Sequence, residues 1–186
     1  MNSLGQRLRA ERERRSWSLS ELAALSGVSR AMISRIERDE SSPTATILGK
    51  LSGALELSIS TLLRTETEHP GIRIGTVRRA SDLPLWRDPE TGYQRRQLSP
   101  AGFPTDLTEV LLPPGAQVSY PAAAYAFIRQ LVWVISGDLV LIDHDRRHEL
   151  HPGDVFQLGE PAARQFHNPG SVECRYVVAV ARRDEA

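Results

Sequence analysis

The apolar residues of this chain change period once, near Leu63, and that change limits the fold more than any other feature. Before it they recur at helical spacing, as Leu4 with Leu8, and strand-like alternation is absent. After it come short β-rich runs divided by turns: YQRRQL, LTEVLL, RQLVWVI, DLVLID, DVFQL and CRYVVAVA, with IRIGTV ahead of them. Spacing of roughly 8–12 residues between such runs is what a sandwich or barrel produces. A polar stretch broken by Pro70 and Gly71 separates the two textures. The expected fold class is therefore α + β in two domains, a helical unit at 1–64 and a β unit at 73–186, joined by a linker at 65–72. At 186 residues the chain is long enough for both.

Local signals divide the helical part into five helices. Ser18 and Glu21 in SLSE have the spacing of a capping box, in which the hydroxyl accepts from an amide three residues on and the carboxylate reaches back. Gly27 suits the left-handed position that ends a helix. Ser29 can cap RAMISRIER, and Asp39, which tolerates positive φ, follows it. TATILGKLSGALEL forms a fourth helix weakened by Gly49 and Gly53, and Ser58 to Leu63 a short fifth.

Net charge is zero, with 23 Lys+Arg against 23 Asp+Glu, but it is unevenly placed. Residues 1–64 hold 10 basic and 7 acidic residues, a net of +3, and the remainder carries −3. The helical part is thus the one suited to an acidic partner. Lys50 is the sole lysine, so basic contacts would be guanidinium forks that match phosphates and guanine edges. Cys174 is the only cysteine, which excludes an intrachain disulfide and a thiolate zinc cluster. No apolar run approaches the ~18 residues of a membrane span, and the N-terminus lacks an apolar leader core. A soluble, cytoplasmic protein is expected.

In SLSELAALSGVSRAMISRIE, Ala23 precedes Gly27 by four residues, and Ile33 and Ile36 follow. That is helix-turn-helix spacing: a small residue where two helices cross, a glycine at the turn, and two isoleucines binding the second helix to the first. Set between an Arg12-bearing helix and TATILGKLSGALEL, the segment resembles the phage-repressor-like (XRE) family of five-helix DNA-binding domains over about residues 4–64. The resemblance implies that Ser29 to Arg38 is the recognition helix, with Arg30, Ala31 and Arg35 facing base edges. Ser29 and Ser34 would meet phosphates or bases, and Arg12 with Glu37 would form a buried structural ion pair. Leu19 departs from the glutamine common at its place, and Glu56 from a helix-ending glycine.

The stretch from LPPGAQV to QFHNPG looks like a cupin, a double-stranded β-helix barrel, across about residues 72–182. Gly137 would close its first motif, while Gly153, Pro161 and Asn168 keep the spacing of its second. Metal-dependent cupins hold an ion with three histidines and a glutamate. Here the corresponding places are Gln130, the segment Ala123–Ala126 with Tyr125, and Arg164, which do not make a metal site. His144, His148 and His151 read as solvated turn residues, and His167 as lying outside the barrel. No metal and no cofactor are expected. Gln130, Val132 and Val134 should face inward, and Leu131, Trp133 and Ile135 outward. Arg164 and Gln130 could hold a small organic acid between Tyr125 and Phe166. Alternatively they satisfy internal groups in a barrel kept for dimerisation.

The combined expectation is a transcriptional regulator: a domain that reads a DNA operator, and a metal-free barrel that senses an effector, builds a homodimer, or both. Two other readings stay open, a metal-dependent cupin isomerase or dioxygenase fused to a DNA-binding domain, and an antitoxin-like module whose β half holds a protein.

Overall fold

The computed structural model describes residues 3–64, 75, 77–100 and 102–183. The expected linker at 65–72, and most of the run IRIGTV, lie outside the described residues. Five helices come first: α1 (Leu4–Arg14), α2 (Leu19–Ser26), α3 (Arg30–Glu37), α4 (Ala45–Leu55) and α5 (Ile59–Leu63). Each begins after a Ser or Thr whose hydroxyl accepts from an amide three residues on: Ser3, Ser18, Ser29, Thr44 and Ser58. At Ser3 and Ser18 the partner Gln6 or Glu21 completes a capping box. These caps supply donors that a short helix otherwise leaves unmet. Leu8, Leu22, Ile33, Ile36, Leu55 and Leu62 fill the core between the helices.

The strands follow as β1 (Leu85–Arg87), β2 (Gln94–Gln97), β3 (Asp106–Leu112), β4 (Gln117–Tyr120), β5 (Ile128–Ser136), β6 (Leu139–Asp143), β7 (Arg146–Leu150), β8 (Val155–Gln157), β9 (Arg164–His167) and β10 (Cys174–Arg182). They form two antiparallel sheets, ordered β1-β2-β3-β10-β5-β8 and β4-β9-β6-β7. Strands β3 to β10 divide equally between the sheets, the double-sheet arrangement of a jelly roll. On β5, Val132 and Val134 are fully buried while Trp133 is exposed, so the period-2 reading of that strand holds. Cys174 is buried at the start of β10, and burial pushes its thiol up to about 12. His144 sits at positive φ in the β6–β7 turn, and His151 at the next turn contacts Asp138 at 2.9 Å. His148 differs from expectation: it lies within β7, its ring 4.6 Å from that of Phe156.

The helical bundle and the barrel are packed directly together. Helix α4 lies against β4 and the 3-10 turn Ala122–Tyr125. A Cβ at Gly49 would stand 2.6 Å from the Tyr120 ring, and one at Gly53 would stand 2.8 Å from Ala123 Cβ. Only glycine permits that approach. Polar bonds reinforce it: the Ala45 amide donates to Asp88 (3.2 Å), and the Thr46 hydroxyl to the Ser119 carbonyl (3.2 Å). The two glycines that weaken α4 as an isolated helix are what seat it on the barrel.

Two substitutions in this helix should therefore act in opposite directions. Gly53→Ala would gain about 1 kcal/mol of helix propensity yet lose about 1–3 kcal/mol to overpacking against Ala123, and a lowered urea midpoint is expected. Glu56, the residue ending α4, is held at φ 54. Glu56→Gly removes that left-handed strain and should raise the midpoint, by roughly 1 kcal/mol of stability.

Candidate nucleic-acid interface and ligand cavity

Helix α3 is fixed from behind and open in front. Ile33 and Ile36 are buried against the bundle, whereas Arg30, Ala31 and Arg35 are exposed. Gly27 ends α2 at φ 65, and the two-residue step Val28–Ser29 turns the chain into α3, with Val28 buried. Ala23, half-buried, packs against the bundle core, and its carbonyl accepts from the Gly27 amide at 3.0 Å. Gly5 of α1 comes so near α3 that a Cβ there would stand 2.2 Å from the Ile36 carbonyl oxygen. Asp39, at φ 57, then accepts from the Gly5 amide (3.2 Å) and the Ser3 hydroxyl (2.6 Å).

The Arg12–Glu37 pair sets the angle of α3. Arg12 Nε and Nη2 donate to the two Glu37 oxygens at 2.7 and 2.8 Å, while Nη1 donates to the Trp17 carbonyl at 2.8 Å. This is a bidentate fork, nearly buried on both sides, and it ties α1 and the α1–α2 turn to the end of α3. Among the residues facing outward, Ser29 caps α3 and Ser34 accepts from Arg38 at 2.8 Å. Arg38 is further tied to Glu40. Arg30 makes no hydrogen bond or ion pair with the described residues, and Arg35 only a 4.0 Å contact with the Met32 sulfur. Two guanidiniums on this face are thus available to an anionic partner.

A second feature lies inside the barrel, at the end facing the bundle. A cavity of about 30 Å³ is lined by barrel residues, among them Tyr93, Arg95, Tyr125, Gln130 and Phe166, and by Ser58, Ile59 and Ser60 at the start of α5. Gln130, Tyr125 and Phe166 therefore meet at one cavity. Arg164 does not line it. Its guanidinium is buried beside Asp143, with Nε 2.8 Å from Oδ1, donates through Nη2 to the Glu160 carbonyl (2.8 Å), and lies over the Tyr125 ring at 4.5 Å. The assignment of Arg164 as the carboxylate fork is corrected on that ground: its charge is already balanced by Asp143, reached because β6 pairs with β9 and sets the two residues opposite one another.

The cation that does line the cavity is Arg95 of β2. It is 7% exposed. Its Nη1 donates to Tyr93 Oη (2.8 Å), which also accepts from Tyr120 (3.2 Å), and its Nη2 reaches Ser60 Oγ at 3.4 Å. Its Nε finds no acceptor, and no carboxylate pairs with it among the described residues. A guanidinium is not deprotonated in a protein, and burying one unpaired costs on the order of several kcal/mol. The Tyr125 hydroxyl is buried and unpartnered as well; burial raises its pKa, so it remains an O–H donor. Sequence reasoning does not single out Arg95, because YQRRQL is polar on both faces. Alternation groups Tyr93, Arg95 and Gln97 together, but nothing in the run says that this face turns inward.

The cavity does not fit a divalent cation. Its polar groups are a guanidinium, phenols, hydroxyls and one amide, and the positive charge would repel a metal. Among the described residues, no group of three His, Cys, Asp or Glu is placed to hold an ion.

Comparison with known proteins agrees with this division. The helix-turn-helix family HTH_3 matches residues 8–62. A crystal structure of an HTH_3 family transcriptional regulator from Vibrio cholerae superimposes with a TM-score of 0.79 at 23% identity, covering 98% of this chain and 97% of that one. Partial likenesses include the Cupin_2 domain of an XRE family transcriptional regulator from Enterobacter cloacae (TM-score 0.46, 19% identity, 50% of this chain and 98% of that one). Another is a predicted oxalate decarboxylase from Thermotoga maritima (0.48, 14%, 58% and 100%). No curated protein gives a match. Residues 8–62, with their crossed α2 and α3 and the fork that holds them, are a helix-turn-helix domain of the HTH_3 family, mounted on a double-sheet β barrel.

Proposed function

We propose that this protein is a cytoplasmic DNA-binding transcriptional regulator that reads an operator through α3 and senses a small organic acid in its barrel. The observation that carries the DNA reading is the state of α3. Its inner face is locked by Ile33, Ile36 and the Arg12–Glu37 fork, while Arg30 and Arg35 face outward without carboxylate partners among the described residues. A rigid helix presenting unpaired guanidiniums suits the major groove, where an arginine can donate twice to a guanine edge. Ala31 between them leaves room for close approach and can pack on a thymine methyl. The enzyme reading has less support: the cavity presents no metal ligand set, and its phenols and guanidinium lack a base to act with them.

A homodimer is the natural operator-binding unit, because one such domain grips few phosphates and two reading helices can span paired half-sites. The outer face of the larger sheet offers a place for the second copy. Trp133 stands opposite Val177 on one side and Val155 on the other, and Leu131 stands opposite Ala179. Trp133 is 46% exposed and Val155 56% exposed. A contiguous apolar stripe of this kind favours burial against another subunit.

In binding to a genomic-fragment library of the source organism, Arg30→Ala and Arg35→Ala should each weaken specific complexes by about 1–3 kcal/mol per lost base contact. Retention of full affinity by the double variant, read by fluorescence anisotropy, would refute the assignment of α3. Trp133→Asp should shift the sedimenting species from dimer to monomer and weaken operator binding with it. An unchanged dimer would place the interface elsewhere.

A further inference from the structure

We propose that the barrel cavity is a carboxylate site centred on Arg95, and that filling it displaces helix α5 of the DNA-binding domain. The proposal rests on the sensor reading above and gives it a ligand class, a charged anchor and a route to the DNA.

The class follows from what the cavity lacks. Arg95 Nε is a buried N–H without an acceptor, and Tyr125 Oη is a buried O–H without one. Gln130 lines the same space. No Asp or Glu does. Both members of this pair can donate, and the charge left over is positive. A guest that accepts hydrogen bonds and carries one negative charge completes the set, whereas an ammonium or a metal ion would add to the charge already present. A neutral amide would match the shape of a carboxylate without balancing the guanidinium. The remainder of the lining is apolar, with Ile59, Ile128, Phe166, Val178 and Val180, and suits a short hydrocarbon tail.

The route follows from size and from the wall. About 30 Å³ accommodates roughly two water-sized groups, so a carboxylate head fits and a longer body does not without a wall moving. The helical bundle supplies one section of that wall, Ser58 to Ser60. This section is held to the barrel by Ser58 to Asp106 (3.0 Å), Ser60 to Thr108 (2.8 Å) and Ser60 to Arg95 (3.4 Å). A guest that takes the Arg95 guanidinium competes for the last of these and presses on Ile59. Helix α5 is in turn bonded to α1, through Arg7 Nη1 to the Thr61 carbonyl at 2.9 Å, and α1 carries the Arg12 fork that orients α3. The ligand therefore bears on the reading helix through packed elements.

The test uses the full chain, with sodium acetate and sodium butyrate as probes, acetamide as the neutral isostere, and sodium chloride at matched ionic strength. Isothermal titration should give saturable binding of acetate or butyrate, and none of acetamide. Arg95→Met should reduce that affinity at least about tenfold, as loss of a charge-assisted anchor does. The variant should also have a higher thermal midpoint than the unliganded parent, because it relieves an unpaired buried charge. Tyr125→Phe removes a single hydroxyl and keeps the packing; its carboxylate affinity should fall while its midpoint holds. Hydrogen exchange at the amides of residues 59–63 should change when the carboxylate binds. Equal heats from acetamide or chloride, or undiminished binding in both variants, would overturn the site. Binding with unchanged exchange at 59–63 would overturn the coupling. Neither result would touch the DNA assay of α3, so failure of this site stays separable from failure of the regulator reading.

Discussion

The close approach of α4 to the barrel is the constraint on which the two-part architecture depends. Helix–barrel contact at Gly49 and Gly53 has no room for a β-carbon, since the Tyr120 ring and the Ala123 backbone already occupy it. The approach brings the start of α5 over the mouth of the barrel, where Ile59 packs against the barrel core and Ser60 meets Thr108 and Arg95. With a bulkier face on α4 the bundle would stand off, and Ser58–Ser60 would no longer form part of the cavity wall. The cavity belongs to neither half alone. It is made by their docking, so the proposed coupling needs no long-range path.

The same point shows where the sequence could be read and where it could not. The helices were legible because their signals are local: a Ser or Thr cap at each start, Gly27 at the α2 end, and apolar residues at helical spacing. Strands β3, β5, β6 and β10 were legible because they are apolar enough to stand out. The strands outside those apolar runs are β1, β4, β7 and β9, which are short or polar; β7 (RRHEL) is an edge strand whose exposed residues leave only Leu150 well buried. Gly49 and Gly53 could be seen as weak points in a helix, but their purpose lies in a contact with residues some 70 positions away. Sequence periodicity carries no such information.

The Arg12–Glu37 pair and Arg95 show how differently buried guanidiniums are used within one small chain. Arg12 has all its forks engaged, two on Glu37 and one on the Trp17 carbonyl, and is purely architectural. Removing Glu37 would strand a charge in the bundle, so the pair specifies the geometry of α3 rather than adding much stability. Arg95 is held by the Tyr93 phenol oxygen and a serine hydroxyl, acceptors that orient a cation but do not neutralise it. Orientation without neutralisation is what a preorganised anion site requires, because the positive field is in place before the ligand arrives.

Arg164 completes the comparison and corrects the most natural inference from the resemblance to metal-binding cupins. An arginine at a place where metal-binding cupins put a ligand invites the reading that it anchors a different guest. The register of β6 on β9 places Asp143 opposite it, and the two charges are spent on each other. What Arg164 does instead is lie over the ring of Tyr125, a cavity-lining residue whose buried hydroxyl has no partner. Arg164 thus acts behind the cavity wall and Arg95 within it. A position count along the chain finds the first; only the fold, by turning one face of a polar strand inward, finds the second.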